Sequence, residues 1–121
     1  MRTVLIVDDD EFVRHCLREA LREADCHVLE ARDGKEASSL IAAEAPDVVL
    51  LDLLMPNKSG LEVLSESRKL NPRGRVVVVS GMNAESLVAQ ALEQGAFGFI
   101  KKPFHRVEVA SEVHRALTAS R

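Results

Sequence analysis

The sequence predicts an α/β domain: a five-stranded parallel sheet, doubly wound, with five helices covering its two faces. Two observations predict it. Short apolar runs alternate five times with longer amphipathic segments, and such alternation implies right-handed βαβ crossovers into one parallel sheet. The runs are also apolar throughout, not at every second residue, as strands buried on both faces require.

The elements follow in order. Val4-Leu5-Ile6-Val7 is an unbroken apolar run, too short for a helix, and reads as the first strand. From Asp10 to Ala24 the apolar residues fall at Phe12, Val13, Cys16, Leu17, Ala20 and Leu21, a helical spacing with arginines and glutamates on the opposite face. A weaker strand spans Cys26 to Glu30. The second helix runs from Gly34 to Glu44, with Asp33 and Glu36 in a capping arrangement and Pro46 just beyond its end. Val48-Val49-Leu50-Leu51 is the third strand, and Leu61 and Leu64 mark a third helix stopped by Asn71-Pro72. Val76-Val77-Val78-Val79 is the fourth strand. A fourth helix, Ala84 to Gln94, carries Leu87, Val88, Ala91 and Leu92 and ends at Gly95, suited to a C′ position. Phe97 to Ile100 is the fifth strand, and Arg106 to Thr118 the last helix, with Val109, Ala110, Val113 and Leu117 inward.

At 121 residues the whole chain, 1–121, fits one domain with its own core, and no repeat or linker interrupts it. A net charge of -3 without a basic stripe argues against direct nucleic-acid binding. Apolar runs of about five residues fall far short of the ~20 that span a bilayer, so no membrane role is expected. Cys16 and Cys26 form neither a C-x-x-C nor a ligand cluster, and there is no signal peptide. The expected setting is a reducing cytoplasm.

In a parallel sheet the strand C-termini share one edge, and ligands of such folds bind there. The residues that follow the runs are Asp8-Asp9-Asp10, Asp52, Ser80 and Lys101-Lys102-Pro103. Carboxylates, a hydroxyl and an ammonium therefore converge on one rim. Clustered carboxylates repel one another unless a cation neutralises them. Oxygen donors without histidine or cysteine favour a hard cation, and Mg²⁺ suits a shallow site that keeps several waters. A lysine beside the cluster can partner a carboxylate at rest and a phosphoryl oxygen afterwards, and Ser80 can donate to another. That inventory suits in-line phosphoryl transfer, with Asp52, alone on its strand, as the acceptor.

Taken singly, the same residues have plainer readings. Asp10 reads as the N-cap of the first helix. A lone Asp8, Ser80 or Lys102 would read as a turn or surface residue; their joint placement at four strand ends makes a site. Cys16 reads as core, Lys58 and Lys101 as solvated, and His15, His27, His105 and His114 as surface or helix-end residues without ligand spacing.

V-L-I-V-D-D-D, L-L-D-L-L-M-P-N-K-S-G, V-V-V-V-S-G and G-A-F-G-F-I-K-K-P-F together make the whole chain resemble the receiver domain of bacterial two-component response regulators. The resemblance implies the flavodoxin-like strand order 2-1-3-4-5. It also implies phosphorelay signalling, in which a sensor histidine kinase or phosphotransfer protein donates a phosphoryl group to Asp52. Asp8 and Asp9 would form the Mg²⁺-binding pair, completed by Asp52 and the backbone carbonyl of Leu54. Ser80 would be the hydroxyl switch and Lys102, directly before proline, the site lysine. The Lys102–Pro103 bond is cis in the family, a bend that would aim the lysine inward. Phosphorylation would draw Ser80 toward the phosphoryl group and admit Phe99 into the vacated space. The fourth helix, fifth strand and fifth helix would then present a changed surface to a partner protein, a C-terminal effector domain or a second copy. Phe99 has a core aromatic as its alternative reading; its place three residues before Lys102 favours the switch. Nothing beyond the domain's own phosphorylation and slow dephosphorylation is implied, so it is not read as an enzyme. Leu54 and Met82, often polar in the family, are expected to border the acylphosphate and slow its hydrolysis, and Phe99 lacks the hydroxyl of a tyrosine.

Three rivals fit less well. A haloacid-dehalogenase-type phosphatase needs a second acid where Leu54 stands, and room for a cap domain. A flavodoxin-like electron carrier needs serine, threonine and glycine around its flavin phosphate, where this chain has three aspartates. A degenerate receiver would lack site residues that are present here. The chain closes on Ala119-Ser120-Arg121 with no DNA-binding or catalytic segment. A stand-alone regulator and a receiver belonging to a longer protein both stay open, with a slight lean to the latter.

Overall fold

The computed structural model describes residues 1–119; Ser120 and Arg121, counted into the domain from sequence, lie outside the described residues. Strands β1 (Arg2–Val7), β2 (Cys26–Ala31), β3 (Val48–Asp52), β4 (Arg75–Ser80) and β5 (Gly98–Lys101) alternate with helices α1 (Glu11–Ala20), α2 (Gly34–Glu44), α3 (Gly60–Leu70), α4 (Glu85–Glu93) and α5 (Arg106–Thr118). The strands pair in parallel throughout, in the order β2-β1-β3-β4-β5. The chain starts on the strand next to one edge, steps out to β2, then returns across β1 to β3 and continues to β5. Right-handed crossovers in opposite directions put their helices on opposite faces, so α1 and α5 share one face and α2, α3 and α4 the other.

Each face has its own core, built from alternate residues of the same runs. Val4, Ile6, Val48, Leu50, Val77 and Val79 pack with Leu17 and Leu21 of the α1 segment and Val109 and Val113 of α5. Leu5, Val7, Val49, Leu51, Val76 and Val78 pack with Ala37 and Ile41 of α2, Val63 and Leu64 of α3, and Val88 of α4. Side chains on a strand alternate faces, so two covered faces demand the solid apolar runs seen in the sequence.

The starts of α1, α2 and α3 are fixed by side-chain caps. Asp10 accepts a hydrogen bond from the Phe12 amide at 2.9 Å and Asp33 from the Glu36 amide at 2.8 Å. The Glu36 carboxylate accepts from the Arg32 amide at 2.9 Å, one residue before the cap. Ser59 caps α3 through the Glu62 amide at 3.2 Å, and Gly95, with φ of 102°, follows α4 in the left-handed region.

Several expectations need correction. The first helix ends at Ala20, not Ala24: three-residue bonds from Arg22 to Glu19 and from Ala24 to Leu21 turn the chain toward β2. Phe12 is 71% exposed, because it sits in the first turn of α1, at the edge where the strands beneath have ended. Cys16 is half-buried rather than core, and Leu92 is exposed. In α5 the buried stripe is Val109, Val113 and Ala116, with Ala110 and Leu117 half-buried at its flanks. Among the described residues no helix is long and apolar enough to cross a membrane.

Gly60 opens α3 hard against the end of β3. A Cβ there would lie 2.5 Å from both the carbonyl oxygen of Asp52 and the Cα of Leu53. Both contacts are backbone and cannot swing aside. Gly60→Ala should therefore cost about 1–3 kcal/mol of stability, read as a lower urea midpoint by far-UV circular dichroism; an unchanged midpoint would show that this junction yields freely.

Candidate functional site

The sheet register assembles the site. Asp8 follows β1 and extends the ladder by one bond, its amide donating to the Ala31 carbonyl at 3.1 Å, and its side chain is 1% exposed. Asp52, the last residue of β3, is 6% exposed. One of its oxygens, Oδ1, accepts from the Leu54 amide at 3.0 Å. Asp9 turns outward and is exposed, yet carboxylate oxygens of Asp8, Asp9 and Asp52 lie within 4.8 Å of one another. The Lys102 ammonium reaches Asp8 Oδ2 at 3.0 Å. The Lys102 amide donates to the Ser80 carbonyl at 2.6 Å, and the Lys102–Pro103 bond is cis. Ser80 itself closes β4 and is buried.

Two buried carboxylates with a third beside them are under electrostatic stress. Burial pushes the Asp52 carboxyl up to about 6, and the charges of Asp8 and Asp9 add to the rise. The Leu54 amide and the Lys102 ammonium act in the opposite sense. The donor set fits a hard divalent cation: only oxygens, three of them anionic, gathered at one point.

Phe99 stands apart from this cluster. The pattern along β5 is buried, exposed, buried, exposed, so Phe99 and Lys101 face outward while Gly98 and Ile100 face in. The Phe99 side of β5 borders a cavity of about 460 Å³ shared with Ser80, Val88, Ala89 and Leu92. Thus Ser80 lines the cavity from the rim end and Phe99, 50% exposed, from the outer edge. Leu54 and Met82, in the loops after β3 and β4, are both exposed. His15, His27, His105 and His114 are exposed as expected, and so is Lys101.

Two residues near the site make contacts that the sequence does not announce. Lys58, expected to be solvated, is half-buried: its ammonium donates to Ser38 Oγ at 2.9 Å and pairs with Glu66. Its stem lies over Gly34, where a Cβ would come within 2.8 Å, so the loop after β3 is docked onto α2. Arg14, on α1, donates from Nη1 to the backbone carbonyl of Asp8 at 2.7 Å. In sequence it was one arginine among several on a polar helix face, with nothing to mark it.

The electrostatics predict a pH-dependent stability. The folded state holds the Asp52 proton up to about pH 6, the unfolded chain only to about 3.9. The favourable contribution is complete below the lower value and is lost as pH rises through the upper one. Without divalent cations, Asp52→Asn should therefore be more stable than wild type by about 1–2 kcal/mol at neutral pH, with water access limiting the size. The difference should shrink as pH falls from 6 to 4 in urea titrations; a gap independent of pH would contradict this account.

Comparison with known proteins agrees with this architecture. The profile described as Response regulator receiver domain matches residues 4–114. The chain is 37% identical over 118 residues to Protein CcdB of Bacillus subtilis, covering 97% of this chain and 98% of that one. It is 35% identical over 118 residues to Chemotaxis protein CheY of Halobacterium salinarum, covering 98% of each. The crystal structure of the receiver domain of NtrX from Brucella abortus superposes with a TM-score of 0.91 at 31% identity, covering 97% of this chain and 99% of that one. With its doubly wound sheet, its acidic rim and these relatives, the chain belongs to the response regulator receiver domains of two-component phosphorelay signalling.

Proposed function

We propose that this domain accepts a phosphoryl group on Asp52 from a sensor histidine kinase or phosphotransfer protein, and answers by reshaping its α4–β5–α5 surface. The observation that carries the reading is the meeting of Asp8, Asp9 and Asp52 within 4.8 Å, with Lys102 3.0 Å from Asp8. Asp8, Asp9, Asp52 and the backbone carbonyl of Leu54 would hold Mg²⁺, which when bound offsets the charge of the carboxylates and of the incoming phosphoryl oxygens.

An Asp52 carboxylate oxygen attacks phosphorus in line. The P–N bond of the donor's phosphohistidine breaks, its electron pair leaves with the imidazole, and the imidazole takes a proton from solvent. An acylphosphate results. Lys102 is paired with Asp8 at rest, so its ammonium is already at the rim when the phosphoryl group arrives, and can donate to one of its oxygens. The Ser80 hydroxyl donates to another, and such charge-assisted bonds are the strong ones. As Ser80 moves toward the phosphoryl group, Phe99 turns into the cavity that both border, and burial of its ring favours the switched state. The changed surface acts on a downstream partner, an effector domain or a second copy of the chain. Beyond its own phosphorylation and dephosphorylation the domain needs no other activity. Return to rest is hydrolysis: water attacks phosphorus, the P–O bond to Asp52 breaks, and inorganic phosphate leaves. Leu54 and Met82, exposed and apolar at the rim, offer no group to orient that water.

Incubation with acetyl phosphate and Mg²⁺, followed by intact-mass analysis, should add one phosphate to wild type and none to Asp52→Asn; no gain in wild type would refute the proposal. The double variant Leu54→Asn with Met82→Glu should lose its phosphate about tenfold faster or more, since a positioned polar group assists proton transfer from water. An unchanged lifetime would remove these two residues from the account.

A further inference from the structure

We propose that Arg14 is a positioning residue for the acidic pair: it holds the peptide between Asp8 and Asp9 so that both carboxylates face one cation, while Glu30 on β2 holds Arg14. The inference rests on the reading of Asp8 and Asp9 as Mg²⁺ ligands. Each polar group of Asp8 is engaged by a different part of the fold. Its amide donates to Ala31 of β2 at 3.1 Å. Its Oδ1 accepts from the Asp10 amide at 2.9 Å, and its Oδ2 faces Lys102 at 3.0 Å. Its carbonyl oxygen, one residue past the end of β1, accepts from Arg14 Nη1 at 2.7 Å.

Asp9 has no comparable support. It is exposed, and among the described residues its carboxylate accepts no hydrogen bond, so its direction is set by the backbone that delivers it. A peptide unit is planar, so pinning the Asp8 carbonyl also fixes the plane from which Asp9 departs. The Arg14 side chain is only 14% exposed, and its Nε donates to Glu30 Oε1 at 3.2 Å. The planar fork of a guanidinium carries its donors on separate nitrogens at fixed angles, so Nη1 meets the carbonyl while Nε meets the carboxylate, where a lysine offers a single point of contact. Groups that orient metal ligands from behind typically change metal affinity by about 10–100-fold when removed.

The test is Mg²⁺ affinity by isothermal titration calorimetry, with urea stability measured in the absence of metal. Arg14→Gln should bind Mg²⁺ about tenfold more weakly or worse, with only a small loss of metal-free stability. Arg14→Lys, which still reaches the carbonyl, should recover part of the affinity; a merely structural role would predict no such rescue. Arg18→Gln, which loses a contact to Glu30 but touches no atom of Asp8, should bind as wild type does. Wild-type affinity in Arg14→Gln would overturn the proposal. If that variant does not fold, wild-type affinity in both Arg14→Lys and Glu30→Gln would overturn it instead. Failure of the wild type itself to bind Mg²⁺ would overturn the ligand reading, a distinct result.

Discussion

Val7 sits opposite Leu51 in the parallel ladder between β1 and β3, and the position of every polar group at the rim follows from that register and its neighbours. It brings Asp8 level with Asp52. The β3–β4 ladder sets Asp52 against Val79, so Ser80 emerges one residue further on, and the β4–β5 ladder sets Ser80 against Lys101, so Lys102 emerges one further again. A slip of one residue in any pair would turn these side chains to the opposite face. What opposes the slip is the double core: in β1, β3 and β4 one residue set packs into each core, so a shifted register would have to repack both at once.

That rigidity explains how the fold tolerates its own stress. Carboxylates at Asp8 and Asp52 are buried close together, against a desolvation cost that shows in the raised Asp52 carboxyl. The strain is confined to the rim, where the Lys102 ammonium, the Leu54 amide and the Arg14 guanidinium each meet one atom of the cluster. A site preloaded with negative charge gains most from a cation, and a sheet that cannot relax keeps the charges where the cation needs them.

Much of this was legible in the sequence, and for identifiable reasons. The bounds of α2 and α5, the Asp10 and Asp33 caps and the strand ends at Asp8, Asp52 and Ser80 follow from local rules: run length, capping chemistry and the shared edge of a parallel sheet. What was not legible depends on partners far away in sequence or on where an element overhangs the sheet. Phe12 obeys the helical period of α1 but lies beyond the strands it would cover. Lys58 is held by Ser38 and Glu66, and Arg14 by Glu30, 20, 8 and 16 residues away respectively; no short-range pattern announces such bonds. The core stripe of α5 falls on Ala116 rather than Leu117 because the packing of α5 against β4 and β5, not hydrophobicity, chooses between adjacent apolar residues.

The rim also divides by strand. The gathered carboxylates come from β1 and β3, while Lys102 and Ser80 come from the β4–β5 side, next to the cavity that Phe99 borders. On the proposed reading this makes the domain a two-key lock. The β1–β3 side takes the metal key, held stiffly at the centre of the sheet. The phosphoryl key is seated on Asp52 of β3 but is felt by Lys102 and Ser80 of the β4–β5 side, which adjoins the surface that turns. Ambient metal can then fill its side permanently without opening the lock, so the message rests on the phosphoryl group and not on fluctuations in the ion supply.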